Sequence, residues 1–167
     1  MKNIYLVGFM GSGKSTVGRI LAEKLNMNFV DVDQLIEEEE KMKISDIFKK
    51  KGEKYFRELE RRKIKDLTKG ENLVISTGGG LGADRENMDL MKKTGFVVWL
   101  DVSLDEIIKR CEGDKNRPLL NQPYENIKKL YEKRKPVYKM ANIHIKTDSK
   151  NPEKIAEEVI DAYIHRH

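Results

Sequence analysis

Apolar residues recur along this chain in two rhythms. Short unbroken runs, Ile4-Tyr5-Leu6-Val7, Leu73-Val74-Ile75-Ser76 and Phe96-Val97-Val98-Trp99-Leu100, predict buried strands. Asn28-Phe29-Val30 and Ile143-His144-Ile145-Lys146 predict two shorter ones. The run at 96–100 is apolar at every position, as expected of a central strand with both faces covered. Between the strands the spacing changes to the helical period. Val17, Ile20, Leu21 and Leu25 mark a helix from Ser15 to Leu25, and Phe56, Leu59, Ile64 and Leu67 mark one from Glu53 to Leu67. Shorter helical patterns cover Gln34 to Lys41 and Ser45 to Lys51.

Local signals set the remaining boundaries. Asp84 and Ser103 are N-cap residues for two further helices, the second reaching Arg110. A polar stretch from Glu112 to Gln122 with Gly, Asp, Asn and Pro reads as a loop, and Tyr124 to Lys135 as a helix. Pro152 opens the last helix, whose apolar face is Ile155, Ala156, Val159 and Tyr163. Strands alternating with helices predict an α/β three-layer sandwich: a five-stranded parallel sheet flanked by helices.

The chain of 167 residues is the size of one domain, and no repeat or linker divides it. Charged residues, at 37%, nearly equal hydrophobic ones, at 38%, which describes a soluble protein with a heavily charged surface. The formal charge of +5 favours small anionic partners. Acidic and basic residues are interleaved without a basic arm, so binding to nucleic acid is not expected. One cysteine, Cys111, excludes a disulfide framework and a cysteine zinc cluster. The apolar start is too short for a signal peptide and no run reaches membrane-spanning length, so a cytoplasmic protein is expected.

The chemistry begins where the first strand ends. Gly8-Phe9-Met10-Gly11-Ser12-Gly13-Lys14-Ser15 matches the phosphate-binding pattern G-x-x-x-x-G-K-[ST] at every position, between a strand and a helix. Glycines let successive N–H groups turn toward an anion, and the helix N-terminus adds partial positive charge. Lys14 is placed to reach the β- and γ-phosphates and Ser15 to offer its hydroxyl to Mg²⁺. The loop by itself does not separate a kinase from an ATPase or GTPase. The short chain leaves little room for motor or switch machinery, and no N-K-x-D guanine motif is present, which leaves small-molecule or nucleotide kinases.

Asp31 and Asp33 follow the second strand. If the segment is extended, both carboxylates point to one side, at the edge of the sheet where ligands of such folds bind. An ordinary strand-to-helix turn with Asp33 as N-cap is the other reading. Together with Gly52-Glu53 through Tyr55-Phe56-Arg57, Ser76-Thr77-Gly78-Gly79-Gly80, Arg117-Pro118-Leu119-Leu120 and Arg134-Lys135-Pro136-Val137-Tyr138, these residues make nearly the whole chain resemble the shikimate kinases.

The resemblance implies a P-loop fold of the nucleoside monophosphate kinase type. It implies transfer of the γ-phosphate of ATP to the 3-hydroxyl of shikimate, with Mg²⁺ as cofactor and a monomer as the working unit. It makes Asp33 the general base and Asp31 the metal-linked acid. Arg57 and Arg134 become the carboxylate-binding pair, although each alone reads as a solvated helix arginine. Gly78, Gly79 and Gly80 would lie against the substrate, with Gly79 offering its N–H, and Phe48 and Phe56 would flank its ring. Residues 33–62 become a substrate-binding subregion and 112–123 a lid whose Arg117 swings over the phosphates. ATP would contact Gly11, Ser12, Gly13, Lys14, Ser15 and Thr16, with Arg110, Lys150 and Pro152 around the adenine.

Val97-Val98-Trp99-Leu100-Asp101 imitates a strand ending in a metal-binding aspartate, but the family pattern assigns the metal to Asp31, and Asp101 reads as a loop or capping residue. His144, His165 and His167 carry no motif. Another small P-loop kinase, acting on gluconate or a nucleotide, is the alternative, followed by a catalytically silent nucleotide-binding module.

Overall fold

The computed structural model describes residues 1–111 and 124–166, with the side chains of all but Arg110 and Cys111. Strands β1 (Asn3–Val7), β2 (Asn28–Asp31), β3 (Leu73–Ser76), β4 (Gly95–Asp101) and β5 (Ile143–Lys146) form one parallel sheet in the order β2-β3-β1-β4-β5. Helices α1 (Lys14–Leu25), α2 (Val32–Glu40), α3 (Ile44–Lys51), α4 (Glu53–Leu67), α5 (Arg85–Thr94), α6 (Leu104–Cys111), α7 (Tyr124–Tyr138) and α8 (Pro152–Ile164) connect the strands. A 3₁₀ turn, Leu81–Ala83, precedes α5.

Alternation along the strands divides the core into two layers. Ile4, Leu6, Val74, Val98 and Leu100 face α1 and α8, where they meet Val17, Leu21, Ile155, Ala156 and Val159. Tyr5, Val7, Ile75, Val97 and Trp99 face the other side, packing with residues of α2 to α7. The four positions expected on the apolar face of α8 are all buried. Asp84 caps α5 by accepting from Asn87 N at 3.0 Å, and Ser103 Oγ accepts from Glu106 N at 3.3 Å.

Helix α7 does not stop at Lys135, the end expected from the sequence. It passes through Pro136 to Tyr138. Proline deletes one helical hydrogen bond, but burial of Val137 and Tyr138 and a bond from the Tyr138 hydroxyl to Gly79 O, at 2.7 Å, hold the extra turn in place. No helix among the described residues is long and apolar enough to cross a membrane.

Candidate active site

The parallel sheet sends the C-terminal ends of β1, β2 and β3 to the same edge, and the phosphate loop leaves β1 there. Gly11 and Gly13 take positive φ values of 76° and 85°, a backbone region that a side chain disfavours. Gly8 is required for space, because a carbon added there would sit 2.6 Å from Leu100 O, a backbone atom that cannot yield. Lys14 lies back over the loop, its Nζ donating to Gly8 O at 2.6 Å and Phe9 O at 3.2 Å. Ser12 is buried and its Oγ has no hydrogen-bond partner, while Thr16 is exposed on the first turn of α1.

Asp31 and Asp33 meet at this edge by a different route from the extended pair considered above. Asp31 ends β2 and is itself the N-cap of α2, its Oδ1 accepting from Gln34 N at 3.2 Å. Asp33 already lies in the first turn of the helix. The cap starts the helix two residues earlier, because an aspartate just before Val32 satisfies an otherwise orphaned helix N–H. The other oxygen of Asp31 accepts from Ser15 Oγ at 2.7 Å, and Ser76 Oγ lies 3.2 Å from the same hydroxyl. One carboxylate and two hydroxyls are hard oxygen donors, a set that suits Mg²⁺ carrying its own waters and substrate phosphates. No cluster of three or more His, Cys, Asp or Glu competes for a metal among the described residues.

Asp33 sits deeper. Its Oδ1 is shielded from solvent and has no hydrogen-bond partner. Its carboxyl is raised from 3.8 to about 6, chiefly by burial and then by Asp31, with the cations of Lys14 and Arg57 pulling the other way. It therefore stays ionised at neutral pH while remaining basic enough to accept a proton.

The three glycines after β3 were expected to admit a ligand to the backbone. They also make room for side chains. A carbon added at Gly78 would lie 2.7 Å from Asp33 Oδ1, and one at Gly79 would lie 2.7 Å from Arg134 Nη1. One at Gly80 would collide with the Arg57 guanidinium. Successive glycines thus hold the acid from α2, the arginine from α7 and the arginine from α4 against one turn. Arg57 is tied to Glu60 Oε1 at 2.7 Å and reaches Glu53 at 3.8 Å. Arg134 hydrogen-bonds the Tyr138 hydroxyl and draws the Glu60 carboxyl down, and a guanidinium with five donors keeps capacity for an incoming anion. Phe48 and Phe56 form a ring pair 5.0 Å apart under Arg57, and Phe56 is core.

Two residues of this site were not read from the sequence. Glu60 is 1% exposed, its Oε2 has no partner, and burial raises its carboxyl to about 7 against the opposing charge of Arg57. Its signal was available: Phe56, Glu60 and Ile64 fall on one face of α4, so a carboxylate occupies a core position. Tyr138, one turn beyond Arg134, is fully buried and its hydroxyl is pushed up to about 12, chiefly by burial.

Other expectations lie outside this cluster. Lys150 pairs with Glu158 at 3.0 Å, and Pro152 is an exposed first residue of α8. Arg117 and the segment 112–123 lie outside the described residues, as does the side chain of Arg110. Asp101 is neither loop nor cap. It ends β4, accepts from the Tyr131 hydroxyl at 3.2 Å and faces His144 Nε2 at 2.7 Å, so it joins α7 to the sheet edge.

Comparison with known proteins gives one consistent result. The family model described as shikimate kinase matches residues 10–164. The chain is 66% identical over 160 residues to a shikimate kinase of Sulfurihydrogenibium sp., covering 96% of each chain. It superposes on the crystal structure of shikimate kinase from Aquifex aeolicus with a TM-score of 0.87 at 47% identity, covering 96% of this chain and 95% of that one. The shikimate kinase of Acinetobacter baumannii in complex with shikimate gives a TM-score of 0.93 at 38% identity, covering 98% of this chain and 93% of that one.

Proposed function

The chain belongs to the shikimate kinase family, and from that premise we propose that it moves the γ-phosphate of ATP to the 3-hydroxyl of shikimate, with Asp33 as base and Arg57 and Arg134 as the carboxylate clamp. The observation that carries this reading is the glycine turn: it presses one carboxylate and two guanidinium groups together beside the phosphate loop. A hydroxyl to be deprotonated and a carboxylate to be held are what such a trio recognises.

In this reading the guanidinium groups orient the ring by its carboxylate, because planar forks pair with planar carboxylates. Asp33 accepts the proton of the hydroxyl as its oxygen bonds to the γ-phosphorus and the bond to the β-phosphate oxygen breaks, leaving ADP. Lys14 exchanges its bonds to Gly8 O and Phe9 O for phosphate oxygens when the nucleotide enters, so its charge is already aimed at the reacting group. Glu60 holds Arg57 from behind. Mg²⁺ bound with ATP would offset phosphate charge, and the residues that fit it are Ser15 and Asp31, with Ser76 beside them. Gly11, Ser12, Gly13 and Thr16 belong to the nucleotide half, and Arg110, Arg117, Lys150 and Pro152 complete it by family resemblance alone. Residues 33–62 and 112–123 are proposed as the acceptor-binding and lid regions of one catalytic domain.

The test is ADP release measured by a coupled assay with shikimate, gluconate and AMP as acceptors. Shikimate is expected to stimulate release strongly and the others not at all. Absence of a shikimate response overturns the reading.

A further inference from the structure

The phosphate-loop pattern leaves position 9 open, since the loop binds phosphate through its backbone. Phe9 nevertheless turns its side chain away from the loop and buries it at 1% exposure. The ring meets two residues of α7. Tyr131 packs against it edge-on, with centroids 5.5 Å apart and planes at 83°. The guanidinium carbon of Arg134 lies 5.5 Å from the ring centroid. Residues three apart on a helix share a face, so Phe9 fits between a tyrosine and an arginine of the same surface. Tyr131 is fixed in turn by its hydroxyl on Asp101. Arg134 is bounded elsewhere by Gly79, and by the neighbouring Tyr138 whose hydroxyl is bonded to Gly79 O. Arg134 also hydrogen-bonds the Tyr138 hydroxyl and lies near enough to Glu60 to draw its carboxyl down, so the Phe9 ring acts with these neighbours in setting its direction.

We propose that Phe9 is a positioning residue for the acceptor: its ring, carried by the nucleotide-binding loop, aims the Arg134 guanidinium at the acceptor's carboxylate. The proposal rests on the reading of Arg134 as part of the carboxylate clamp. An aromatic face attracts a guanidinium and also restricts its rotamers, so an aliphatic side chain of similar volume keeps the core filled but leaves Arg134 held on that side by its bond to Tyr138 alone. The loop's own backbone is untouched by that change.

Phe9→Leu and Phe9→Met therefore separate the two substrates in an unexpected direction. Although the substitution lies within the ATP loop, the KM for shikimate is expected to rise about tenfold, equivalent to ~1.4 kcal/mol. The KM for ATP and kcat are expected to stay within about twofold. Phe9→Tyr, which keeps the ring, is expected to hold the shikimate KM within about threefold. Calorimetric titration with shikimate in the absence of nucleotide should show the same pattern in Kd. An unchanged shikimate KM in both aliphatic variants overturns the proposal. So does a rise confined to the ATP KM, or loss of cooperative thermal unfolding in both, since the ring would then serve only the loop or the core. A wild-type enzyme that ignores shikimate would instead sink the underlying functional reading.

Discussion

Asp33 should cost the folded protein stability, and replacing it by asparagine should raise the melting temperature while destroying activity. The group moves from an ordinary 3.8 to about 6 in the folded chain, with burial as the leading cause and Asp31 next. A carboxyl whose folded value is raised binds its proton more tightly in the native state, so native stability falls as pH rises between the two values and stays lowered above them. The full separation corresponds to about 3 kcal/mol at pH 8, and allowing for partial solvent access ~2 kcal/mol is a working figure. For a chain of this size that is a rise of about 4–8 °C for Asp33→Asn at pH 8. Near pH 5 the wild-type carboxyl is already largely protonated, and the advantage should shrink to roughly half. Glu60, raised to about 7 and sensitive to the Asp33 charge, acts in the same direction. Differential scanning calorimetry of both proteins from pH 5 to 8 measures the gap. An asparagine variant that is no more stable at pH 8, or a gap that does not change with pH, refutes the account of Asp33 as a strained, desolvated base.

The same variant should lose about 10²–10⁴ in kcat while still binding ATP, as expected for removal of a general base; equilibrium nucleotide binding and steady-state rates check both. The wild-type kcat/KM for shikimate should fall on the acid side with a midpoint near pH 6, because only the ionised Asp33 accepts the proton; a flat profile from pH 5 to 8 would remove Asp33 from that role. Gly79→Ala should raise the shikimate KM at least tenfold with a melting temperature within about 2 °C, on the order of 1 kcal/mol or less, since the atom it strikes is the movable end of Arg134. Asp101→Asn should leave kcat within a few-fold, about 1 kcal/mol in barrier, and a loss as large as that of Asp31→Asn would mean that the metal-linked carboxylate had been misassigned.

The parts of this site that could be read from the sequence are those that local chemistry determines. Gly8 to Ser15 is a contiguous device whose conformation and ligand follow from its own backbone, and the five strands announce themselves as apolar runs. The proposed acceptor half is assembled from α2, α4, the turn after β3 and α7, and nothing local connects them. Arg57 sits in a helix rich in Glu and Arg, and Arg134 between two lysines, so periodicity marks both as solvated faces. Packing against Gly79 and Gly80, and for Arg134 against the Phe9 ring, turns them inward. The start of α2 was misplaced because Asp31 and Asp33 are equally good caps, and the choice is decided by Ser15 and Gln34, which engage Asp31. Glu60 is the one charged member of the buried face of α4, between Phe56 and Ile64, and only that spacing distinguishes it from the solvated glutamates around it.

The two glycine-rich segments of the site answer different physical demands. Around the phosphates the demand is conformational: Gly11 and Gly13 adopt backbone angles that side chains avoid, and the benefit is a ring of N–H groups. After β3 the demand is volume. Gly80 has φ −74° and ψ −34°, a conformation open to any residue, so backbone freedom does not explain it. What a side chain would take is the space of Asp33, Arg134 and Arg57. The Asp33 carboxylate is held close to Lys14 and Arg57, which lower its proton affinity, yet burial and Asp31 keep its value near 6. A methyl group at Gly80 would displace Arg57 and shift that balance. In the proposed mechanism, the positions that carry no side chain thereby set both where the acceptor would sit and how readily Asp33 would take its proton.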